Sequence, residues 1–444
     1  MQRKDRNQER DSRENDISSP NRRALYSDCY ESLETFFLND DTVKKEPVLI
    51  GRPPLLRQTN AQVLLKLLRQ SGPCSKADLV RASGLSAPTV TNVVAHLASA
   101  GLVEPIGEGD STGGRPPDIL RFRCERGCVI GAEITPHSVH LLLTDLNGQE
   151  LERAEVEISR AASTPSAVSN LIAGAVRTLL RKHGQTEGQL LGLALGVPAI
   201  VNVEEGSVLS FSALRDWRAV PLGRMLGEIL KCRVVVDNDT NLAAQGEYYC
   251  GAAQEEENFI FITIGEGVGA GIFLNGEIFR GSQWSAGEIG YLRVPSISRE
   301  KPKIHDYGRL EKVLGAAGIL KSWHSGTKGN WTHPIVKRAA EVFDLAAAGN
   351  AHAKRVLKQR AMILADVVLD MALILNPSVI LLGGEVGNHP QLLQEVTTLL
   401  EGSEMPVVRV RLSTLGSSAV LLGGIYSCLE PAILSLIQPS KAAS

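Results

Sequence analysis

No two cysteines in this 444-residue chain are spaced as Cys-x-x-Cys. The seven present, at 29, 74, 124, 128, 232, 250 and 428, are scattered and odd in number. That excludes a disulfide framework and a zinc knuckle, and it reads as reduced, cytosolic thiols. Charge of one sign is also lacking: 47 Lys and Arg face 49 Asp and Glu, a net of −2. A uniformly basic, histone-like protein is excluded, but nucleic-acid binding by one segment is not. The apolar runs, such as 367–375, break off well short of the ~20 residues of a membrane span. The first residues, MQRKDRNQERDSRENDISS, have no apolar stretch of the kind a signal peptide needs. Glycine, by contrast, is plentiful at 42 residues. Many backbone positions therefore need a positive φ or a close approach.

Residues 1–50 are polar and mixed in sign, and are expected to be a disordered tail. A cluster at Ala24, Leu25, Tyr26, Tyr30, Leu33, Phe36 and Phe37 leaves a short amphipathic helix open as an alternative.

The character changes in 51–126. Asn60 is read as the cap of a helix bearing Val63, Leu64, Leu67 and Leu68, which Ser71-Gly72-Pro73 ends. Ser75 and Asp78 are spaced as a capping box for a second short helix. Gly84 turns the chain, and Ser86 caps a third helix with Val90, Val93, Val94, Leu97 and Leu102 on its apolar face. A strand, a Gly-rich turn and a second strand follow in VEPIGEGDSTGGRPPDILRFR. Three helices and a hairpin are the layout of a winged helix-turn-helix. Ten Lys and Arg against six Asp and Glu give this segment a surplus of four positive charges, leaving −6 for the rest. Positive charge concentrated on such a module points to DNA phosphates. The small polar Ser86, Thr89, Thr91 and Asn92 suit close approach to base edges and phosphates. Lys76 suits a phosphate, and Arg115, between two glycines and two prolines, suits a groove. A protein-binding helical module is the alternative.

From residue 127 to 444 strands and helices alternate, an α/β architecture. Strands are expected at 129–134, 139–145, 191–197, 233–236, 259–264 and 379–382. Helices are expected at 166–183, after Asp239, and at 361–375.

This second part resembles the ROK family (repressors, open reading frames and kinases), from Val129 to about Leu429. VDNDTNLAAQGE (Val236 to Glu247) is similar to the family's Asn-Asp strand end and following helix. TIGEGVGAGIFLNGEIFRGSQWSAGEIGYL (Thr263 to Leu292) is similar to its glycine-rich phosphate segment and A-G-E-x-G-H segment. LNPSVILLGGEV (Leu375 to Val386) resembles its adenosine segment, and STGGRPP (Ser111 to Pro117) the wing of its regulators. The resemblance implies a two-lobed, actin-like (ribonuclease H-like) domain behind the winged helix-turn-helix. It implies a sugar site at Asn238, Asp239, Glu288 and Glu311, with Asp239 the vestige of a catalytic base.

Where the family binds zinc, this chain has Tyr291, Pro302, Ile304 and Arg309, none a usual zinc ligand. His305 and Asp306 alone cannot close a tetrahedral site, so no metal is expected, and packing or charge must hold the loop from Val294 to Tyr307. The family's D-x-G-G-T-K falls on Glu133-Ile134-Thr135-Pro136-His137-Ser138, which has neither glycine nor lysine. Glu266 stands where Thr is usual, and Glu385 follows Gly383-Gly384 where a small residue is usual. A carboxylate beside a transferring phosphate repels it. No catalytic residue and no nucleotide cofactor are therefore expected.

The resulting expectation is a cytoplasmic, non-membrane transcriptional regulator, a repressor of carbohydrate genes. Its partners would be a double-stranded DNA operator and a monosaccharide or sugar phosphate, and it would act as a homodimer or homotetramer. Two alternatives stay open. One is an active ATP-dependent sugar kinase fused to a DNA-binding domain. The other is a regulator that answers to a protein and binds no sugar.

Overall fold

The computed structural model describes residues 53–109, 116–159, 163–211, 214, 216–293, 308–325, 334–401 and 408–437. The expected tail at 1–50 lies outside them, as does Arg115.

The first helix, α1, spans Pro53–Ser71. Proline fits a first helical turn, where its missing N–H has no partner to lose. Asn60 is therefore not a cap; it lies inside the helix. A two-residue strand β1 (Cys74–Ser75) leads into α2 (Lys76–Ser83). Ser75 and Asp78 form the reciprocal capping box, with the Ser75 hydroxyl accepting from the Asp78 N–H at 3.2 Å. Gly84 ends the helix at φ 68°, a left-handed conformation that glycine adopts without strain. Ser86 then caps α3 (Ala87–Ser99), which buries Val90, Val93, Val94 and Leu97. Leu102 is fully buried, but it follows this helix and is not part of it. The wing strands β2 (Val103–Glu108) and β3 (Asp118–Phe122) pair antiparallel, and β3 also takes β1.

The remaining strands are β4 (Cys128–Ile134), β5 (Ser138–Asp145), β6 (Glu150–Glu157), β7 (Leu190–Val197), β8 (Ile200–Asn202), β9 (Ser207–Ser210), β10 (Arg218–Val220), β11 (Arg233–Asn238), β12 (Phe259–Ile264), β13 (Val268–Leu274), β14 (Glu277–Ile278), β15 (Val379–Gly383) and β16 (Arg409–Leu412). One sheet has the order β11-β7-β4-β5-β6, the other β16-β15-β12-β13-β14. The two orders are the same. In each, three strands meander antiparallel, a fourth pairs parallel beside the first, and a fifth lies parallel beyond it. The domain is thus one unit built twice, as an actin-like, ribonuclease H-like fold requires. Strands β8, β9 and β10 form a small antiparallel sheet beside the first.

Helices complete the layers: α4 (Pro165–Lys182), α5 (Leu222–Leu230), α6 (Asp239–Cys250), the short α7 (Glu311–Leu314), α8 (Ala316–Ser325), α9 (Ala339–Ala347), α10 (Ala351–Leu375), the short α11 (Gly384–Gly387), α12 (Pro390–Glu401) and α13 (Ala419–Ile437). Alternation along each strand distributes side chains between two cores. Ile260, Ile262 and Ile264 join one core with α8, α9 and α10, while Phe259 and Phe261 face α6. Likewise Ile130, Ala132 and Ile134 pack with α4 and α5, and Val129 packs with α13.

Helix α13 corrects the expectation on apolar runs. By length and composition it could cross a membrane, with Pro431 in its interior. Half of its apolar window is buried within the protein, against α6, β4 and β7. Its Leu421, Ile425, Leu429 and Ile433 also share one continuous apolar cluster with Leu64, Leu68, Leu79 and Leu97 of the helix-turn-helix. An ion pair, Arg69 to Glu430 at 3.5 Å, ties α1 to α13.

Candidate functional site

A cleft of about 560 Å³ opens at the carboxyl ends of β4, β7 and β11 from one sheet and β12 and β15 from the other. Ligands of open α/β sheets bind at such strand ends. Segments after several of these strands supply its polar side chains.

The strand β11 ends in Asp237-Asn238 and α6 begins at Asp239. Asp237 is the anchor. It is buried, pairs with Arg280 at 2.6 Å, and accepts from the Asn238 N–H at 2.7 Å. Asn238 is the helix cap: its side-chain Oδ1 accepts from the Asn241 N–H at 3.1 Å, and its side-chain Nδ2 donates to the Ala199 carbonyl at 3.2 Å. One oxygen of Asp239 accepts from the N–H and the hydroxyl of Thr240. Burial pushes the Asp239 carboxyl up, the Thr240 hydrogen bonds oppose this, and the charge of Asp237 adds to the rise.

Glu288 follows Gly287, whose φ is 87° and where any Cβ would run into the Ala270 carbonyl. Glycine is the residue that lets this turn lie against β13. Burial, then the charges of Asp239 and Glu311, raise the Glu288 carboxyl to about 7. Glu311 opens α7, and its two oxygens accept from the Val268 N–H at 3.3 Å and the Gly308 N–H at 2.9 Å. Burial raises its carboxyl against the pull of those two donors.

The structure thus brings all four expected sugar-site residues, Asn238, Asp239, Glu288 and Glu311, to one cleft. A further acidic residue of the cleft was not singled out by sequence reasoning. Glu133, at the end of β4, lines the same cleft, and its carboxyl rises to about 8 through burial and the charge of Asp239. Among the described residues neither the Glu133 nor the Glu288 side chain accepts a hydrogen bond, so both carboxyls have oxygens available to hydroxyl donors. A signal was present in the sequence: Glu133 is the one acidic position retained from the D-x-G-G-T-K segment, where attention falls on the lost glycines.

The loop after Glu133 is closed on itself. The Thr135 N–H donates to the Ser138 carbonyl at 2.8 Å. The N–H groups of His137 and Ser138 donate to the Thr135 hydroxyl at 3.3 and 2.9 Å, and Pro136 has no N–H. Across the cleft the Gly265 N–H donates to the Gly267 carbonyl at 2.9 Å. His137 Nε2 stands 3.9 Å from Glu266 Oε1, so the two substituted loops face each other directly. Glu385, on α11, pairs with Arg338 at 3.4 Å.

At the positions of the family's zinc ligands, Tyr291 lines the cleft and Arg309 is buried; Pro302 and Ile304 lie outside the described residues. Among the described residues no three His, Cys, Asp or Glu side chains are grouped to hold a metal.

The family model for ROK proteins matches residues 129–429. This chain belongs to the ROK family. A second model, for the MarR family, matches residues 59–104, the helix-turn-helix just described. The chain is 25% identical to the xylose repressor of Caldicellulosiruptor bescii over 390 residues, covering 85% of this chain and 96% of that one. It is 30% identical to a glucokinase of Halalkalibacterium halodurans over 308 residues, 66% of this chain and 93% of that one. Among solved structures, a ROK family transcriptional regulator homologous to the Escherichia coli MLC protein superposes with a TM-score of 0.71 at 23% identity, covering 86% of this chain and 98% of that one. The repressor matches run through the helix-turn-helix; the glucokinase match covers a shorter share of this ROK protein.

On the helix-turn-helix, Lys76 is the exposed first residue of α2, and Thr91 and Asn92 are exposed on α3. Ser86 and Thr89 are engaged with each other: their hydroxyls are 2.8 Å apart, and the Thr89 N–H donates to Ser86 at 3.4 Å. Ser86 is thereby the cap of α3.

Proposed function

We propose that this chain is a cytoplasmic, sugar-responsive transcriptional repressor whose kinase-like domain binds a sugar without using ATP. The observation that carries the reading is the closed loop Thr135–Ser138. A nucleotide phosphate is held by free main-chain N–H groups and cations. Here those N–H groups are consumed within the loop, and the loop opposite presents Glu266. Hydroxyl acceptors survive at Asp239, Glu133 and Glu288, so the sugar half of the site retains its chemistry. Domains at 51–126 for DNA and 127–444 for sensing, in a homodimer or homotetramer, would place two recognition helices on half-sites ~34 Å apart. A sugar that favours one arrangement of the lobes would shift DNA affinity.

Selection of DNA sites from a random duplex pool with the full chain tests this. A two-fold symmetric site should emerge, and one or more monosaccharides should change its affinity. Titration with ATP-Mg in a calorimeter should show no heat of binding, and micromolar affinity would overturn the non-enzymatic reading.

The second reading is an active sugar kinase with an appended DNA-binding module. Asp239, placed to polarise a hydroxyl, favours it. ADP release coupled to any common sugar would establish it.

A further inference from the structure

We propose that the cleft takes an unphosphorylated sugar, uncharged or amine-bearing, and rejects sugar phosphates and sugar acids. This rests on the sugar-sensing reading above and narrows the effector class of that same site.

Two independent observations carry it. The first is the charge of the lining. Six acidic side chains line the cleft, Glu133, Asp239, Glu266, Glu288, Glu311 and Glu385, and burial holds a share of protons on Glu133 and Glu288 near neutral pH. No Lys or Arg is among the described residues that line it; His137 is the one basic side chain, and it stands opposite Glu266. Two arginines beside the lining are held by carboxylates, and the buried Arg309 does not line the cleft. Arg280 pairs with buried Asp237 at 2.6 Å, and Arg338 pairs with Glu385 at 3.4 Å. A phosphate monoester carries between −1.5 and −2 charges near neutral pH. It would meet the exposed carboxylate of Glu266 and, among the described residues, no Lys or Arg lining the cleft to hold it.

The second is the state of the main-chain donors. Anions without a cation are held by helix N-termini and loop N–H groups. At the start of α6 the Thr240 and Asn241 N–H groups are taken by the side chains of Asp239 and Asn238. In the loop after β4 the Thr135, His137 and Ser138 N–H groups are taken internally. Opposite, Gly265 is bonded to Gly267 and Val268 to Glu311. Beside these filled donors the cleft presents carboxyl oxygens as acceptors, and the groups that fill acceptors are hydroxyls and ammonium.

The test is calorimetric titration of the full chain with matched pairs: glucose and glucose 6-phosphate, N-acetylglucosamine and its 6-phosphate, mannose and its 6-phosphate, with xylose and glucosamine added. For every sugar that binds, the phosphate should bind at least tenfold more weakly. In the double variant Glu266→Gln, Glu385→Gln the difference should shrink severalfold, since both side chains are exposed and their charge is removed without loss of shape. A phosphate that binds as tightly as its free sugar, or more tightly, overturns this inference and leaves the sensor reading standing. A difference that the double variant leaves unchanged overturns its electrostatic basis. If no sugar and no sugar phosphate binds, the sensor reading itself fails and takes this inference with it.

Discussion

Gly246 and Gly423 hold α6 and α13 backbone against backbone: a Cβ on Gly423 would stand 2.9 Å from the Gly246 nitrogen and inside contact distance of the Leu242 carbonyl. The helix that starts at Asp239 is thus seated directly on the helix that packs beside the first sheet. Gly423→Ala would gain about 1 kcal/mol of helix propensity. Overpacking against backbone costs about 1–3 kcal/mol or more, so the clash decides. Urea unfolding should show net destabilisation. Gly174→Ala, in α4 with nothing within 4 Å of the added carbon, should stabilise by about 0.5–1 kcal/mol. Equal effects at the two positions would contradict this packing.

The cleft carboxylates make stability depend on pH. Glu133 rises to about 8 and Glu288 to about 7, both above the ordinary value of 4.5. A carboxyl whose folded pKa is raised binds protons more tightly folded than unfolded. Its contribution is therefore most favourable in acid and declines as pH rises from about 4.5 towards 8. Ligand-free Tm should fall across that window, and Glu133→Gln should make the fall shallower. A variant that keeps the wild-type slope would remove Glu133 from the coupled group.

Asp239→Asn should weaken effector binding by ~1.5–3 kcal/mol, the worth of a hydrogen bond to a charged group. The amide oxygen can still accept from the Thr240 N–H, so α6 keeps its start. Operator affinity without effector should be unchanged. Calorimetry and a DNA-binding titration check the two halves, and unchanged effector affinity would place Asp239 outside the site.

On DNA the two basic positions should behave differently. Lys76→Ala, an exposed phosphate-type contact, should weaken all sequences about equally and reduce the salt slope by about one. Arg115→Ala should cost ~1–3 kcal/mol on a site with A·T-rich flanks and less on G·C flanks, because a narrow minor groove attracts guanidinium. Fluorescence anisotropy on the two duplexes at several salt concentrations measures both. Equal losses on both flanks would leave Arg115 a phosphate contact only.

The winged helix-turn-helix was legible because its signals are local. Ser75 with Asp78, Gly84 and Ser86 each act within four residues, and each holds its expected place. Six of the ten strands in the two large sheets were legible from their apolar runs; β6, β13, β14 and β16 were not, being charged, glycine-rich or short. What escaped depends on distance in sequence. Helix α10 begins at Ala351, ten residues before its apolar stretch, because its first turns are amphipathic and capped by Asn350. Helix α13 has Gly423-Gly424 and Pro431 inside it, residues that read as breakers until a partner needs their closeness. Glu133 gains its meaning from Asp239, 106 positions away, and no pattern along the chain reports that approach.

The apolar cluster shared by α13 and the helix-turn-helix bears on how far this protein can be taken apart. A sensor transplanted from a relative by splicing near residue 126 would carry off Leu421, Ile425, Leu429 and Ile433, which belong to the same cluster as Leu64 and Leu97. It would also strip Arg69 of Glu430. A working graft must therefore match the incoming last helix to the first one, and specificity for sugar cannot be exchanged as a cassette independent of the operator reader.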